Sequence, residues 1–588
     1  MRISGMRWSL IPLILSSIKS CSCQGDAEYD IVIVGGGVAG LVLADKLSED
    51  PNLKILLLEA GPDPGDDELI TTPVFSQKLL SSKYSWNFTS VPQPSLGGAT
   101  PSLDQGHALG GGSAINVMAY CRGARSVFDE WAATSGNSLL AWDNILAKFR
   151  DSANVFVPDP LPYEQPIDRT GFSENGPVCV SYERPDRLSQ LEPDFWDAWL
   201  NDPQQPAELA DLASGDGIGL VKGGPHAIRN SNGTRSYAWL AYGSPAASKP
   251  NVMILHSSRV IKINFDESGR EIPRAVGVDY ISSGSNVVTT VTAKEVIVSA
   301  GAINSPRLLL LSGIGPRDHL SDVGIPLVRD SPAVGSNLFD HHRLVNVFQV
   351  PSEILTAASL SNETLLAALK EQYRTTGGGP LSEPGPQSST FLTERIPDDV
   401  LMGFEPESNV SFHLGLPKDR PFLAYQYAGA SFLPQFTDAN AVTVFVALVQ
   451  PEASGTVRLN SSRWQDDPLI DPNYFGSSAD RAIIQYGYER LLNVTRSKAL
   501  ARINQGELFP GPDLTIEEVF QQGAQSYHHP AGTVSLGKVL DSEFRVKGVD
   551  GLRVVDSSVM PNIPTCHLQA SVYALAGAAA DIIKETWP

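Results

Sequence analysis

The chain has 588 residues, and its 65 acidic residues against 44 basic ones give a formal net charge of −21 at pH 7. This acidity, together with the lack of any basic run, argues against nucleic acid or an anionic membrane as a partner. The length predicts two large lobes with substantial cores. Five cysteines in a chain of this length are too few for a disulfide scaffold.

The N-terminal segment has the layout of a secretory signal peptide. Arg2 and Arg7 flank the start of an apolar run from Trp8 to Ile18, and small residues follow as far as Cys23. The apolar run is too short to span a bilayer. Export agrees with six Asn-x-Ser/Thr sequons that are acceptors for N-glycans, at Asn87, Asn232, Asn362, Asn409, Asn460 and Asn493. We therefore expect a secreted glycoprotein without a membrane anchor.

The first strong pattern of the mature chain is a run of β-branched residues, 29–34, that stops at three glycines. Gly35, Gly37 and Gly40 fill the pattern G-x-G-x-x-G, which predicts a strand, a tight turn and a helix whose N-terminus receives a pyrophosphate. Glu59 ends a second apolar run about 20 residues further on, where an acid binds both hydroxyls of an adenosine ribose. The pattern predicts a bound dinucleotide, and this carboxylate disfavours NADP because it would repel a 2′-phosphate.

A second glycine-rich stretch covers residues 106–123. Three consecutive glycines followed by small residues can run flat against a planar ligand, which bulky side chains would prevent. Ser113 and Asn116 supply compact hydrogen-bonding side chains directly behind those glycines. We expect this stretch to lie beside a cofactor ring.

Apolar periodicity and turn residues predict the remaining elements. Helices are expected within residues 125–150, 304–312, 364–373 and 570–584. Strands are expected at residues 252–255, 260–265, 275–281, 287–292, 295–302, 410–416, 442–449, 456–459 and 551–556. Residues 61–100 are expected to form a surface excursion, and residues 150–250 to be irregular.

After cleavage near Cys23, the mature chain would keep three cysteines, Cys121, Cys179 and Cys566. Three cysteines suffice for one disulfide and one free thiol, and the pairing stays open. No Cys-x-x-Cys pair or Cys/His spacing indicates a metal site, so we expect no metal.

Five stretches together resemble the glucose–methanol–choline (GMC) flavoprotein oxidoreductases over essentially the whole mature chain. They are residues 35–40 with Glu59, then 106–123, 301–315, 334–341 and 551–569. The last stretch contains Ile563-Pro-Thr-Cys-His-Leu-Gln569 and is most similar to that of secreted fungal alcohol oxidases of this family, such as aryl-alcohol oxidase and patulin synthase.

The resemblance implies an α/β fold with two lobes. A Rossmann-like FAD-binding lobe is interleaved with an α+β substrate lobe that is built on an antiparallel sheet. The expected segments are a signal peptide at 1–23, the first part of the FAD-binding domain at 24–345, the substrate-binding domain at 346–519, and the second part of the FAD-binding domain, with the catalytic histidines, at 520–588.

The resemblance also implies which residues contact FAD. Glu59 would bind the adenosine ribose and the backbone at Val260 the adenine, whereas residues 116–119 would run beside the flavin. Ile115 stands where some members carry a histidine bonded to the flavin, so we expect non-covalent FAD. The full expected set is Gly35, Gly37, Val38, Ala39, Gly40, Glu59, Ala60, Gly110, Ser113, Asn116, Val117, Met118, Ala119, Val260, Asp556 and Gln569.

Oxidation of an alcohol by a flavin requires a base for the hydroxyl proton, and histidine suits this task because its pKa lies near neutral pH. By resemblance, His529 is the general base, and His567 hydrogen-bonds the substrate oxygen. His528 is expected to face away from the flavin, because neighbours on an extended segment point to opposite faces. Cys566 is expected to serve packing alone.

The expected reaction converts a primary alcohol into an aldehyde and reduces O2 to H2O2. Aromatic residues at 422–436 favour an aryl, furanic or allylic alcohol over a sugar; they are Phe422, Tyr425, Tyr427, Phe432 and Phe436. Three alternatives stay open: an alcohol or sugar dehydrogenase that uses quinones, a hydroxynitrile lyase that uses the same histidines without net redox, and a non-enzymatic FAD-bearing protein.

Overall fold

The computed structural model describes residues 28–384 and 390–587 of the chain. The expected signal peptide lies outside these residues. Two seven-stranded sheets, each with its own hydrophobic core, dominate the described part of the chain. This arrangement confirms the expected α/β class, with one mainly parallel and one antiparallel sheet.

The first sheet is built on buried apolar strands, as expected for parallel strands that are covered on both faces. Its order is Val252–Leu255, Ile55–Leu58, Tyr29–Val34, Val288–Val298, Arg274–Ser282 and Ser258–Asp266, with Leu552–Val554 also paired to Val288–Val298. The first four strands and Leu552–Val554 run parallel, and the last two form antiparallel pairs. Val38–Leu47 and Gln569–Thr586 pack together as helices beside this sheet.

The second sheet is antiparallel and forms the core of the other lobe. Its order is Gly506–Phe509, His342–Gln349, Ala441–Leu448, Leu423–Ala428, Phe391–Glu394 and Gly219–Val221, with Ala524–Ser526 also paired to His342–Gln349. The helix Ser478–Thr495 packs on it. Two of its strands, Gly219–Val221 and Ala524–Ser526, come from outside the expected substrate-binding segment 346–519. The two lobes are therefore interleaved along the chain.

Shorter elements complete the fold. The other α-helices are Glu68–Thr71, Gly112–Ile115, Arg125–Ser135, Trp142–Ser152, Glu192–Leu200, Ser244–Ala247, Gly301–Leu311, Arg317–Asp322, Glu363–Thr376, Asp398–Leu401, Ser411–Gly415 and Ile516–Gly523. The small strands are Phe88–Thr89, Ser102–Leu103, Ala153–Phe156, Val178–Ser181, Ile314–Gly315, Arg329–Asp330, Ser336–Leu338, Gly455–Arg458 and Leu469–Asp471. Within the described ranges, no helix has the length and apolarity that a membrane crossing requires.

Three expectations about these elements are wrong. Where a strand is expected at 410–416, Ser411–Gly415 is a helix, and the buried His413 bonds the carbonyl of Gln450 at 3.0 Å. The two strands expected at 287–292 and 295–302 are one strand, Val288–Val298, that bridges the parallel and antiparallel halves of its sheet. Residues 61–100 are not a surface excursion, because they bury a series of apolar side chains, namely Ile70, Val74, Phe75, Leu79, Tyr84, Phe88 and Leu96.

One side-chain contact ties the histidine loop to the cofactor lobe. The helix Gly301–Leu311 starts earlier than expected, so Pro306 lies inside it. Proline has no N–H, and the carbonyl four residues earlier therefore loses its helical donor. That carbonyl, of Ala302, accepts a hydrogen bond from Thr533 Oγ1 at 2.6 Å.

Thr533→Val removes this donor while preserving the shape of a fully buried side chain. We expect the free energy of unfolding to fall by about 1–3 kcal/mol, because a buried carbonyl loses a hydrogen bond. Thr437→Val is the matched control, since its hydroxyl bonds the carbonyl of Pro434 in an exposed turn. Equal unfolding midpoints in urea for the two variants would contradict the assignment.

Candidate active site

A cavity of about 330 Å³ runs from the first glycine turn to the histidines and is lined by residues of both lobes. It is bordered by both expected catalytic residues, His529 and His567, and by most of the residues expected to contact FAD. These are Gly35, Gly37, Val38, Ala39, Glu59, Ala60, Ser113, Asn116, Val117, Met118, Ala119, Val260, Asp556 and Gln569. Gly40 and Gly110 do not line the cavity. They support the backbone behind its wall.

The glycines permit close backbone contacts around this cavity. A Cβ on Gly40 would lie 2.0 Å from the carbonyl oxygen of Gly35, so only glycine lets the helix pack this close to the turn. Gly111 has φ +52°, and a Cβ there would lie 2.6 Å from the Cα of Gly37. Gly110 N–H donates to the carbonyl of Gly36 at 2.8 Å, which joins the two glycine stretches.

Glu59 lies at the turn end of the cavity and is buried. Its carboxylate accepts hydrogen bonds from the N–H groups of Gly36 at 2.6 Å and Gly61 at 2.7 Å. Burial raises the pKa of Glu59 to about 7 despite these bonds. The nearby helix Val38–Leu47 begins at Gly37 without a side-chain cap, which leaves its first N–H groups for a phosphate.

The stretch expected beside the flavin is held by Arg235, a residue for which no sequence pattern predicts a role. This fully buried guanidinium donates from Nη1 to the carbonyl oxygen of Asn116 at 2.7 Å and to its Oδ1 at 2.9 Å. The same Oδ1 accepts from the N–H of Met118, a residue with φ +65°. Asn116 therefore shapes the loop through its side chain.

Asp556 and Gln569 both border the cavity, but their side chains differ in whether an atom is left to bond a ligand. The Asp556 carboxylate accepts from the N–H groups of Gly301 at 2.9 Å and Ser558 at 2.7 Å, so it positions the start of a helix. Gln569 Nε2 donates to the carbonyl of Ala119 at 2.6 Å. Its Oε1 is buried with no hydrogen-bond partner in the described structure.

The chemistry of the cavity wall fits FAD. Three buried oxygens on its wall, Ser76 Oγ, Ser299 Oγ and Gln569 Oε1, have no hydrogen-bond partner among the described residues. Buried polar atoms of this kind are normally satisfied. A ligand rich in hydroxyl and ring N–H groups would donate hydrogen bonds to these oxygens. The two glycine stretches leave room for a pyrophosphate and a flat ring.

The two expected catalytic histidines lie together at the far end of the cavity. Their ring centroids are 5.2 Å apart, with the planes at 80°. His567 Nε2 lies 3.0 Å from the hydroxyl of Tyr527, and the ring of Tyr527 lies 4.6 Å from that of His529. Tyr527 also donates to Gln426 Oε1. The three rings form one polar patch that a substrate oxygen can reach.

A third histidine contacts the expected base. His341 Nδ1 lies 2.9 Å from His529 Nδ1, so one of these two nitrogens carries the proton of their hydrogen bond. His341 lies in the family stretch 334–341, where no role is expected for it from the sequence. The fold brings residues 341 and 529 together from distant parts of the sequence, so no local pattern indicates this contact.

All three imidazoles are neutral at pH 7. Burial lowers the pKa of His567 and of His341 to about 3, and it lowers the pKa of His529 well below the ordinary value of 6.5. The neighbouring imidazoles, when they are themselves protonated, and the guanidinium of Arg343 lower the pKa of His529 further, because a second positive charge nearby is unfavourable. His529 is therefore available as a base without first losing a proton.

Two expectations about this end of the cavity are wrong. Residue 528 is not extended, since its φ is +60°, and the half-buried His528 borders the same cavity as His529. Cys566 does more than pack, because it forms a disulfide with Cys121. Of the three cysteines expected in the mature chain, Cys179 is the free thiol.

The disulfide lies directly beside a catalytic residue. It joins the residue before His567 to the end of the flavin-side stretch, across 445 positions of sequence, and Cys121 Sγ lies 3.6 Å from His567 Nδ1. The two sulfurs are bonded to each other and so offer no thiolate to a metal.

The expected aromatic cluster divides between cavity and core. Tyr427 and Phe432 line the cavity together with Phe445 of a neighbouring strand. Phe422 and Tyr425 are buried in the core of the second lobe, and Phe436 packs against it. Tyr425 and Tyr427 are both buried and, two residues apart, lie on the same face of their strand, so strand alternation does not separate them; Tyr427 borders the cavity and Tyr425 does not.

Comparison with known proteins assigns the family. The N-terminal GMC oxidoreductase model matches residues 29–343, and the C-terminal model matches residues 451–576. The chain therefore belongs to the GMC oxidoreductase family and is an FAD-dependent oxidoreductase that acts on CH–OH donors.

Relatives and solved structures within this family cover almost the whole chain. Pyranose dehydrogenase 3 of Leucoagaricus meleagris is 31% identical over 594 residues, with 96% of this chain and 94% of the relative covered. A formate oxidase structure matches with a TM-score of 0.85 at 28% identity, covering 95% of this chain and 98% of the other. A fungal aryl-alcohol oxidase structure matches with a TM-score of 0.77 at 25% identity, covering 95% and 99%.

Replacing both Cys121 and Cys566 by serine removes the link between the flavin-side stretch and the catalytic segment. We expect a loss of about 2–4 kcal/mol in stability, since the disulfide closes a long loop, and slower flavin reduction because His567 is less fixed. Thermal unfolding at a fixed scan rate and anaerobic flavin reduction measure the two effects. Cys179→Ser is the control and should change neither; equal behaviour of the two variants would contradict this role.

Proposed function

We propose that this protein is a secreted alcohol oxidase with non-covalently bound FAD. It would oxidise a primary aryl, furanic or allylic alcohol to the aldehyde and reduce O2 to H2O2. The observation that carries this proposal is the pair His529 and His567, which meets within 5.2 Å at the aromatic end of a cavity suited to FAD.

The residues of the chain divide the proton chemistry between them. His529 Nε2 would take the hydroxyl proton of the alcohol, which requires that His529 donates from Nδ1 and that His341 Nδ1 accepts. His567 Nε2–H, whose hydrogen bond the Tyr527 hydroxyl accepts in this structure, would donate to the same substrate oxygen instead and orient the carbinol carbon. FAD, when bound, supplies the acceptor for the hydride that the carbinol carbon loses.

Charge at the site also favours the second half of the reaction. Once His529 has taken the proton, the cavity contains an imidazolium surrounded by buried groups. A desolvated positive charge stabilises negative charge that develops on O2 as it is reduced. This supports O2 as the acceptor, although quinone-dependent enzymes would share the same histidines.

The lining of the cavity supports a flat substrate. Phe432 and Phe445 border the space near the histidines, and the ring of Phe445 lies 5.4 Å from that of Tyr527. Aromatic walls with a few convergent polar groups are typical of sites for planar ligands.

The main alternative is a dehydrogenase that passes electrons to quinones, which the likeness to pyranose dehydrogenase 3 favours. Consumption of O2 with release of H2O2 selects the oxidase, whereas turnover only with a benzoquinone selects the alternative. The non-covalent state rests on Ile115, which has no nucleophilic atom for a bond to the flavin.

Secretion is proposed from the N-terminal segment and the sequons. All six sequon asparagines, Asn87, Asn232, Asn362, Asn409, Asn460 and Asn493, are exposed, as N-glycans require. A fall in mass on treatment with an endoglycosidase would test this directly.

His529→Ala should retain FAD, because the Ala side chain leaves the glycine turns and Glu59 unchanged. Anaerobic reduction of the flavin by an alcohol should slow by about 10²–10⁴-fold, since the base is lost. Exposed His256 provides the control, and His256→Ala should be reduced at the rate of the unsubstituted protein. Unaltered flavin reduction in the His529 variant would refute its role as base.

The lowered pKa of His529 sets the pH dependence of flavin reduction. A base whose pKa is lowered stays unprotonated to lower pH, so kcat/KM for the alcohol should remain constant as the pH falls through 6.5 and decline only below it. Stopped-flow flavin reduction across an acidic pH series measures this profile. A midpoint at or above 6.5 would contradict the neutral, buried imidazole.

A further inference from the structure

Arg343 is a buried cation in the wall of the substrate end of the cavity. It lies on the strand His342–Gln349 and is only 8% exposed. Its guanidinium carbon is 4.6 Å from the ring centroid of Phe432, 4.8 Å from that of Phe445 and 5.3 Å from that of Tyr527. Three aromatic rings thus surround a positive charge that has been removed from water.

The charge has no anionic partner within the described residues. Arg343 Nη2 donates to the neutral Gln525 Oε1 at 3.2 Å, and Nε–H is buried without a hydrogen bond. No carboxylate among the described residues comes within ion-pair distance of Arg343. Burial lowers its pKa only to about 10, so the group is charged at neutral pH.

The acidic residue that could neutralise Arg343 from within the protein is Asp340, and its carboxylate is already hydrogen-bonded to other groups. Asp340, three residues earlier, accepts hydrogen bonds from Ser526 Oγ, from the Tyr474 hydroxyl and from the N–H of His529. Burial also raises the pKa of Asp340 to about 6, which reduces its mean negative charge in acidic media. A desolvated guanidinium without a partner is unfavourable, and an anion from outside would relieve that cost.

The position of the cation relative to the catalytic residues fixes where such an anion would bind. The ring of Tyr527 lies 5.3 Å from the guanidinium of Arg343 and 4.6 Å from the ring of His529. An anionic group at Arg343 and a carbinol at His529 would therefore contact the same tyrosine ring. A molecule of about one aromatic ring in length spans this separation.

We propose that Arg343 determines specificity by binding a carboxylate on the substrate, so that the preferred substrates are aryl or furanic alcohols that carry a carboxylate opposite the hydroxymethyl group. This inference rests on the proposed alcohol oxidation and narrows its substrate class. The guanidinium fork matches a carboxylate in geometry, and Phe432 and Phe445 would flank the ring that links the two groups.

The test compares two substrates of nearly equal shape, 4-(hydroxymethyl)benzoate and its neutral amide, 4-(hydroxymethyl)benzamide. In the unsubstituted protein we expect kcat/KM to be at least tenfold higher for the carboxylate. Arg343→Gln should lower kcat/KM for the carboxylate by about 100-fold, because a buried charge pair is lost, while the amide changes by less than about threefold.

A second variant keeps the cation but supplies an internal partner. Gln525→Glu places a carboxylate where Arg343 now contacts an amide, and it should remove the preference for the anionic substrate with the fold intact. Arg317→Gln is the control, since Arg317 is an exposed cation paired with Asp330 outside the cavity and should leave the preference unchanged.

Binding of plain benzoate, measured by calorimetry on the FAD-loaded protein, gives a readout that is independent of turnover. We expect Arg343→Gln to weaken it at least tenfold. Equal kcat/KM for carboxylate and amide, or unchanged benzoate binding in Arg343→Gln, would overturn the role of Arg343 while leaving alcohol oxidation in place. Failure of both substrates and of neutral aryl alcohols to reduce the flavin would instead overturn the proposed function.

Discussion

The site depends on a single buried carboxylate, that of Asp340. It accepts a hydrogen bond from the N–H of His529 at 2.8 Å and another from Ser526 Oγ at 2.6 Å. These bonds fix the histidine loop to the start of the strand His342–Gln349, which belongs to the other lobe. Together with the His341–His529 contact and the pairing of Ala524–Ser526 with His342–Gln349, these bonds join the catalytic loop to the substrate sheet.

Desolvation of the site then determines which of its side chains are charged. Burial keeps His529, His341 and His567 neutral, so the site can accept a proton but holds no charge of its own on these rings. The positive charge on this side of the cavity belongs to Arg343, which aromatic rings surround. A neutral base beside a fixed cation suits an anionic alcohol, because the cation binds the substrate while the base remains free for its proton.

The sequence predicts those parts of the site that depend on local pattern. The glycine turn at 35–40 and the acid Glu59 follow from spacing that backbone geometry requires, and His529 follows from resemblance to a family stretch. The contacts of Arg235 with Asn116 and of His341 with His529 join residues that are more than 100 positions apart, and no local pattern indicates them. The helix at 411–415 was missed for a similar reason, since the buried contact of His413 with Gln450 outweighs β propensity.

The visible absorption spectrum of the purified full-length protein, before and after anaerobic addition of a benzylic alcohol, tests the central claim most directly. We expect a flavin spectrum with one FAD per chain, released intact on denaturation, that bleaches when the alcohol is added. A colourless protein that takes up no FAD, or a bound flavin that retains its colour with every benzylic, furanic and allylic alcohol, would contradict the account.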